Sequence, residues 1–127
     1  RYIYVHTLSH LLMKELEFTC GYPTVSLSER LFVDSEDMQG VLIFTVAGMD
    51  GSYGGLASQA SPERFDEILT RALERSEDCA SDPICYHSSG QGVGDMNQAA
   101  CYSCALVAEN ACESFNSFLD RKIREFL

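Results

Sequence analysis

The spacing of hydrophobic residues in the first half of the chain predicts one helix followed by two strands. Residues 6–18 carry leucines on one helical face, at positions 8, 11, 12 and 16, and are predicted to form a helix. Alternating apolar and polar residues then predict a strand near residues 28–33. The apolar run 41–46, rich in β-branched and aromatic side chains, predicts a second strand that is buried on both faces.

The second half is predicted to hold two more helices around a long irregular region. Ser61 and Pro62 are typical of a helix start, so a helix is expected over residues 62–75. Large apolar residues become scarce between residues 77 and 108. Asn110 as a cap, with Glu113 three residues later, predicts a last helix over residues 111–126. Its expected buried face consists of Phe115, Phe118, Leu119, Ile123 and Phe126.

Five of the six cysteines lie in this second half and indicate a metal site. Cys20 stands apart, whereas the other five fall within 34 positions: Cys79, Cys85, Cys101, Cys104 and Cys112. A structural zinc ion needs four ligands in a tetrahedron, and a C-x-x-C pair such as Cys101 and Cys104 supplies two from one tight turn. The predicted ligands of Zn²⁺ are Cys85, Cys101, Cys104 and Cys112, with Cys79 as a substitute.

A metal also explains how the region between residues 77 and 108 becomes ordered. A stretch with few large apolar residues cannot offset its conformational entropy by burial alone, whereas metal binding contributes its free energy directly to folding. Disulfides, free buried thiols and a redox-active pair are the alternatives. A sufficient core and the absence of a visible secretion signal favour thiols in a reducing cytoplasm over disulfides. Catalytic zinc is less favoured, because it keeps an open position.

The predicted fold class is therefore α+β: a small sheet packed against three or more helices, with a zinc-stabilised cysteine-rich loop region. Hydrophobic residues make up 46% of the chain and charged residues 22%, which are ordinary globular values. Residues 1–127 are interpreted as a single domain, excised from a longer chain because residue 1 is Arg. No apolar run approaches the ~20 residues of a membrane helix, so no membrane partner is expected.

Several segments resemble a known family. They are HTLSHLL, SERLFV, GVLIFTVAGMDGSYGGLAS, SDPIC and AACYSCALVAENACESFNSFLDR. They are similar to the helicase-associated C-terminal zinc-binding domain of MrfA-type repair helicases and of the DrmB-type proteins in the DISARM anti-phage system. The resemblance covers nearly the whole chain. It implies a four-cysteine zinc site and a role beside DNA-translocating machinery, and any helicase motor would lie outside these residues.

Net charge limits the partners that this role can involve. The chain carries 19 acidic and 9 basic residues, a net charge of −10. That balance argues against DNA binding through a broad basic surface. The leading hypothesis is a non-catalytic, zinc-stabilised accessory domain of a helicase-type DNA defence or repair complex. It would dock on a helicase or another protein partner, or guide DNA locally.

The alternative hypothesis is a metal-dependent hydrolase or nuclease. His6 and His10 are four residues apart and share one helix face, a spacing that can bind metal, although the Glu of H-E-x-x-H is absent. Packing, with both imidazoles bonded to polar neighbours, is the favoured interpretation. Asp50 lies in a loop with four glycines between residues 48 and 55, which lacks the nucleotide-binding signatures. Glu29 or Arg30, adjacent in a strand, is able to pair with the first helix.

Overall fold

The structure is a computed structural model that describes residues 1–46 and 56–126, without the side chains of Arg124 and Phe126. The glycine-rich loop of residues 48–55, with Asp50 and Tyr53, lies outside the described residues. None of the described helices is long and apolar enough to cross a membrane.

The first element, helix α1, spans Tyr2–Cys20 and supplies one wall of the core. It ends at Gly21, whose φ of 77° is a left-handed conformation that glycine adopts without strain. The backbone N–H of Gly21 donates to Glu17 and that of Tyr22 donates to Leu16, which satisfies the last carbonyls of the helix. The buried residues of α1 are His6, Thr7, Ser9, His10, Leu11, Leu12, Met13, Glu15 and Leu16.

Two antiparallel strands, β1 (Leu27–Ser35) and β2 (Met38–Thr45), form the sheet. Their register runs from Leu27 opposite Thr45 to Ser35 opposite Met38, with an irregularity between Val33 and Ser35. The prediction that the second strand is buried on both faces is wrong. Alternate side chains, including Leu42 and Phe44, are exposed on the outer face. A continuous apolar run does not by itself reveal how many faces of a strand are covered.

Helix α2 spans Pro62–Arg75 and packs its buried Ile68 and Ala72 against α1. Arg75 joins the two helices, because its Nε lies 2.5 Å from Oε2 of the fully buried Glu15. The guanidinium of Arg75 also sits 4.3 Å from the ring centre of Phe18. The main hydrophobic core lies between α1, β1, α2 and the loop that contains Val107 and Ala111.

The predicted fold class is wrong in its number of helices. The described residues form two α-helices and one two-stranded sheet, so the sheet does not pack against three or more helices. No helix runs over residues 111–126; only short 3-10 turns occur there, at Glu109–Ala111 and Arg121–Phe126. Phe115, Asn116 and Phe118 have φ values of 50°, 61° and 64°, which are incompatible with a right-handed helix.

Side-chain hydrogen bonds hold this C-terminal segment in its irregular path. The amide of Asn116 pairs with both backbone groups of Val107, at 2.8 and 3.0 Å. The buried Asn97 binds the carbonyl of Asn116 and the N–H of Leu119 in the same way. Side-chain bonds of this kind occupy backbone groups that would otherwise be available for helical hydrogen bonds. Consequently Leu119 and Ile123 are buried as predicted, whereas Phe115 and Phe118 are exposed.

The C-terminal segment returns to the first helix. The hydroxyl of Tyr2 lies 2.6 Å from that of Ser114, and the backbone N–H of Asp120 donates to Thr7 Oγ1 at 3.0 Å. The two ends of the described chain therefore pack against each other, and residues near 112 come to lie beside α1.

Candidate metal centres

The four-cysteine cluster consists of Cys79, Cys85, Cys101 and Cys104, whose sulfur atoms all lie within 4.8 Å of one another. The Sγ atoms of Cys79 and Cys101 are 3.4 Å apart. Those of Cys85 and Cys104 are 3.8 Å apart, and those of Cys101 and Cys104 are 3.9 Å apart. A tetrahedron with Zn–S bonds of ~2.3 Å has S–S edges of about 3.8 Å. The sulfur atoms therefore fit one zinc ion.

Two tight turns present these sulfur atoms. The first begins just after α2, where Asp82 Oδ2 accepts the backbone N–H of Cys79 at 2.9 Å and Cys85 N–H bonds to Ser81 O at 2.9 Å. The second is the C-x-x-C turn, in which the N–H groups of Cys104 and Ala105 both bond to Cys101 O. Each turn supplies two sulfur atoms, and the turns begin 22 residues apart, at Cys79 and Cys101. A metal ion bound by both turns would cross-link the irregular region, which has little apolar burial to stabilise it.

Arg121 anchors the first turn from behind. Its guanidinium is fully buried and donates to Asp82 Oδ1 at 2.7 Å and to Ser76 O at 3.1 Å. The hydrogen bond to Arg121 holds the pKa of Asp82 below its usual value. Asp82 also accepts the backbone N–H of Tyr86 at 3.1 Å. One carboxylate therefore fixes the turn between Cys79 and Cys85, and Arg121 keeps that carboxylate ionised.

The electrostatics of the four thiols favour a cation among them. Burial raises the pKa of Cys104 strongly, and the neighbouring thiolates of Cys85 and Cys101 raise it further. Cys101 is the exception: burial opposes its ionisation, but the hydrogen bond from Cys79 and others lower its pKa to about 7. Cys101 therefore ionises readily, whereas Cys104 resists ionisation in the same cluster. A divalent cation would remove the mutual repulsion and allow all four to ionise.

The cluster suits a structural metal rather than a catalytic one. Four protein thiolates complete a tetrahedral shell and leave no open position for a substrate. Thiolate ligands are typical of zinc, and they exclude magnesium and calcium, which bind oxygen. Bound zinc would supply folding free energy to the segment that carries residues 79–104.

The fifth cysteine, Cys112, lies in a second cluster with His6, His10 and Glu29. His6 Nε2 is 3.2 Å from Cys112 Sγ and 3.4 Å from Glu29 Oε1. His10 Nε2 is 2.8 Å from the same oxygen. The structure therefore brings Cys79, and not Cys112, to the other three cysteines. The choice of four zinc ligands stays a prediction, and the sulfur geometry favours the set that contains Cys79.

Charge stabilises this second cluster. Burial opposes ionisation of both histidines, yet contacts with Cys112 and Glu29 raise the pKa of His10 and raise that of His6 to about 9. Burial likewise opposes ionisation of Cys112, but contacts with His10 and His6 lower its pKa to about 6. The pKa of Glu29 is lowered by the same histidines, against the effect of burial. The imidazoles and the acidic groups of this cluster therefore favour the ionised forms of one another.

The second cluster as a whole was not predicted from the sequence, although its parts were visible. The i, i+4 spacing of His6 and His10 indicates two imidazoles on one helix face. The sequence favours packing of both imidazoles with bonds to polar neighbours, and the structure shows such neighbours. The sequence also allows Glu29 to pair with α1. Nothing in the sequence indicates that Cys112, 106 positions after His6, completes the group.

Comparison with known proteins gives two matches. Residues 8–105 match the family model described as the MrfA Zn-binding domain. The chain is also 36% identical over 123 residues to the DISARM protein DrmB of Bacillus paralicheniformis. That alignment covers 96% of this chain, but the chain spans only 22% of the length of this relative.

Proposed function

This chain belongs to the MrfA Zn-binding domain family, and we propose that it is a non-catalytic accessory domain of a helicase-type DNA defence complex. In this role a zinc ion held by Cys79, Cys85, Cys101 and Cys104 fixes the shape of residues 79–104. The fixed surface then docks on a partner protein. The mutual approach of the four sulfur atoms, all within 4.8 Å, is the observation that carries the proposal.

The side chains beside the zinc ligands favour a protein partner over DNA. Ile84, next to Cys85, is 83% exposed, and Tyr102, inside the C-x-x-C turn, is 73% exposed. Aromatic and aliphatic side chains held rigidly at a surface are typical anchors of protein interfaces. A net charge of −10 disfavours contact with a phosphate backbone. We therefore propose docking on a helicase subunit, in the cytoplasm, as the principal role.

A hydrolase is supported less well by these residues. His6 and His10 are fully buried, so neither imidazole is accessible to a substrate in solvent. Asp50, the other residue of that hypothesis, lies outside the described residues. The nuclease hypothesis is therefore kept as an outcome of the experiment below.

The first experiment measures metal and activity together. The chain is purified anaerobically without added metal, and zinc is quantified by plasma mass spectrometry. Zinc is expected in the wild type and in Cys20→Ser, and the four-thiolate zinc is expected to be missing in Cys101→Ser. The same wild-type protein is incubated with labelled single- and double-stranded DNA and Mg²⁺ or Mn²⁺. Cleavage that Asp50→Ala abolishes would replace the accessory role with a nuclease.

The second experiment tests docking. Binding of the chain to a purified candidate helicase subunit is measured by calorimetry, with Ile84→Ser and Tyr102→Ser compared against Ser89→Ala. Both apolar substitutions should weaken binding at least tenfold while the zinc content stays unchanged. Tight binding to DNA alone, with no loss on Ile84→Ser or Tyr102→Ser, would show that the chain guides DNA instead of docking on protein.

A further inference from the structure

We propose that His6, His10, Glu29 and Cys112 bind a second transition-metal ion, of the Zn²⁺ class, as a closed structural site. The four residues come from three parts of the fold: α1, β1 and the C-terminal segment. Two imidazoles, one carboxylate and one thiolate are ligands that zinc accepts together. The site is distinct from the four-cysteine cluster and shares no ligand with it.

The distances from His6 to the sulfur and to the carboxylate fit a tetrahedral ion, whereas His10 Nε2 and Glu29 Oε1, at 2.8 Å, lie closer together than the edge of such a tetrahedron. Zinc bonds of ~2.0–2.3 Å place an imidazole nitrogen about 3.5 Å from a thiolate sulfur and about 3.4 Å from a carboxylate oxygen. The observed separations from His6 Nε2 are 3.2 Å to Cys112 Sγ and 3.4 Å to Glu29 Oε1. All four ligand atoms lie within 4.8 Å of one another.

The polar atoms at the centre find no hydrogen-bond partner among the described residues. They are Nε2 of His10 and both carboxylate oxygens of Glu29, in side chains that are fully buried. His10 Nε2 and Glu29 Oε1 approach to 2.8 Å without the alignment that a hydrogen bond requires. Buried polar atoms left unpaired are costly, and bound metal is one of the few groups that can satisfy several at once.

The hydrogen bond on the far side of His10 orients it as a metal ligand. Its Nδ1 lies 2.9 Å from the carbonyl oxygen of Ala105, and a carbonyl can only accept, so Nδ1 carries the proton. In the neutral imidazole the lone pair is then on Nε2, which points into the cluster. A backbone carbonyl that accepts the other N–H is the usual support of a metal-bound histidine.

Cys112 is prepared for coordination by two backbone groups. Its sulfur accepts the N–H of Ser114 at 3.4 Å and that of Asn116 at 3.1 Å. Both donors stabilise a thiolate, which is the form that binds metal.

Burial distinguishes this site from a catalytic centre. Relative exposure is 0% for both histidines, 2% for Glu29 and 6% for Cys112. Four protein ligands in a buried site leave no coordination position for water or substrate. The metal would therefore stabilise the packing of the C-terminal segment against α1 and β1. His6 and Cys112 also lie outside residues 8–105, so the family match does not account for this site.

Counting metal ions in the folded chain tests the proposal. Native mass spectrometry of the anaerobically purified full chain should show two zinc ions. His6→Asn and Cys112→Ser should each show one, whereas His87→Asn and Cys20→Ser, which lie outside both clusters, should keep two. Cys101→Ser should also show one, but it should be the mixed-ligand zinc. A wild-type chain that holds the mixed-ligand zinc but lacks the four-thiolate zinc would support the second site and contradict the proposed four-cysteine function.

Spectroscopy of the wild type removes the dependence on variants that fail to fold. Cobalt substituted for zinc should give two sets of ligand-field bands, one from a four-thiolate site and one from a site with nitrogen, oxygen and sulfur. A folded wild-type chain that holds one ion with only the four-thiolate spectrum would overturn the proposal.

Discussion

The Nδ1 atom of His10 hydrogen-bonds to the carbonyl of Ala105, the residue directly after Cys104. This contact joins the two clusters, because Cys104 belongs to one and His10 to the other. The backbone N–H of Ala105 meanwhile bonds to Cys101 O, inside the C-x-x-C turn. Movement of that turn would therefore move the acceptor that orients His10.

The ligand assignment predicts opposite effects for two cysteine substitutions. Cys79→Ser should release the four-thiolate metal and loosen residues 79–104, with a loss of several kcal/mol of folding free energy. Cys112→Ser should leave the four-thiolate metal in place. Cobalt spectra and hydrogen exchange of the two variants provide the measurement. Retention of the four-thiolate spectrum in Cys79→Ser, with its loss in Cys112→Ser, would assign the fourth ligand to Cys112.

Substitution of Arg121 is expected to lower stability although Arg121 is not one of the proposed zinc ligands. Arg121→Met should lower the free energy of unfolding by about 2–4 kcal/mol, because Asp82 and the carbonyl of Ser76 lose their hydrogen-bond partner. The partial exposure of Asp82 to water limits this loss. Urea unfolding measures the loss, and hydrogen exchange should rise first at residues 79–87. The matched control is Arg71→Met, which removes only an exposed pair with Glu67. Equal effects of the two substitutions would refute the anchoring role of Arg121.

The side-chain amide of Asn116 is expected to stabilise the C-terminal segment through its two hydrogen bonds to Val107. Asn116→Ala should destabilise the protein by about 2–4 kcal/mol, since both backbone groups of Val107 lose their partner inside the core. Alanine also adopts the left-handed conformation less readily than asparagine. Asn110→Ala, which removes one exposed hydrogen bond to Val25, should cost far less when both are compared by thermal unfolding. A neutral Asn116→Ala would contradict this account.

Arg75 predicts the strength of the contact between the two helices. Arg75→Met should cost about 1–3 kcal/mol, because Glu15 then keeps a buried carboxylate without its cation. The exposed half of the Arg75 side chain keeps the expected value below that of a fully buried pair. Arg30→Met, which breaks an exposed pair with Glu113, should change the free energy of unfolding by less than about 1 kcal/mol. Chemical denaturation that ranks the two variants in reverse would disprove this assignment.

Local periodicity predicted the elements whose residues follow one pattern throughout. The leucine stripe of α1 and the Ser61-Pro62 start of α2 lead to helices at Tyr2–Cys20 and Pro62–Arg75. The apolar residues after 110 also follow helical spacing, yet no helix forms there. The backbone of Asn116 adopts a left-handed conformation, and its side chain bonds to Val107 instead. Such distant hydrogen bonds leave no trace in local spacing.

The cysteine cluster is accessible from sequence because its four members lie close together along the chain. The spacing alone did not decide between Cys79 and Cys112, because both flank the C-x-x-C pair at plausible distances. Glu29 and Cys112 reach the histidines only through the packing of β1 and of the C-terminal segment against α1. Sequence reasoning finds single residues of such a group but not the group itself.

The two clusters differ in how much of the chain must exist before they can form. Cys79 and Cys104 are 25 positions apart, so the four thiols emerge from the ribosome almost together and require only local loop closure. His6 and Cys112 are 106 positions apart, so the mixed-ligand cluster closes a far longer loop and cannot form until the segment around Cys112 has been synthesised. Until then the two imidazoles of α1 lack the sulfur atom that contacts them in the folded protein.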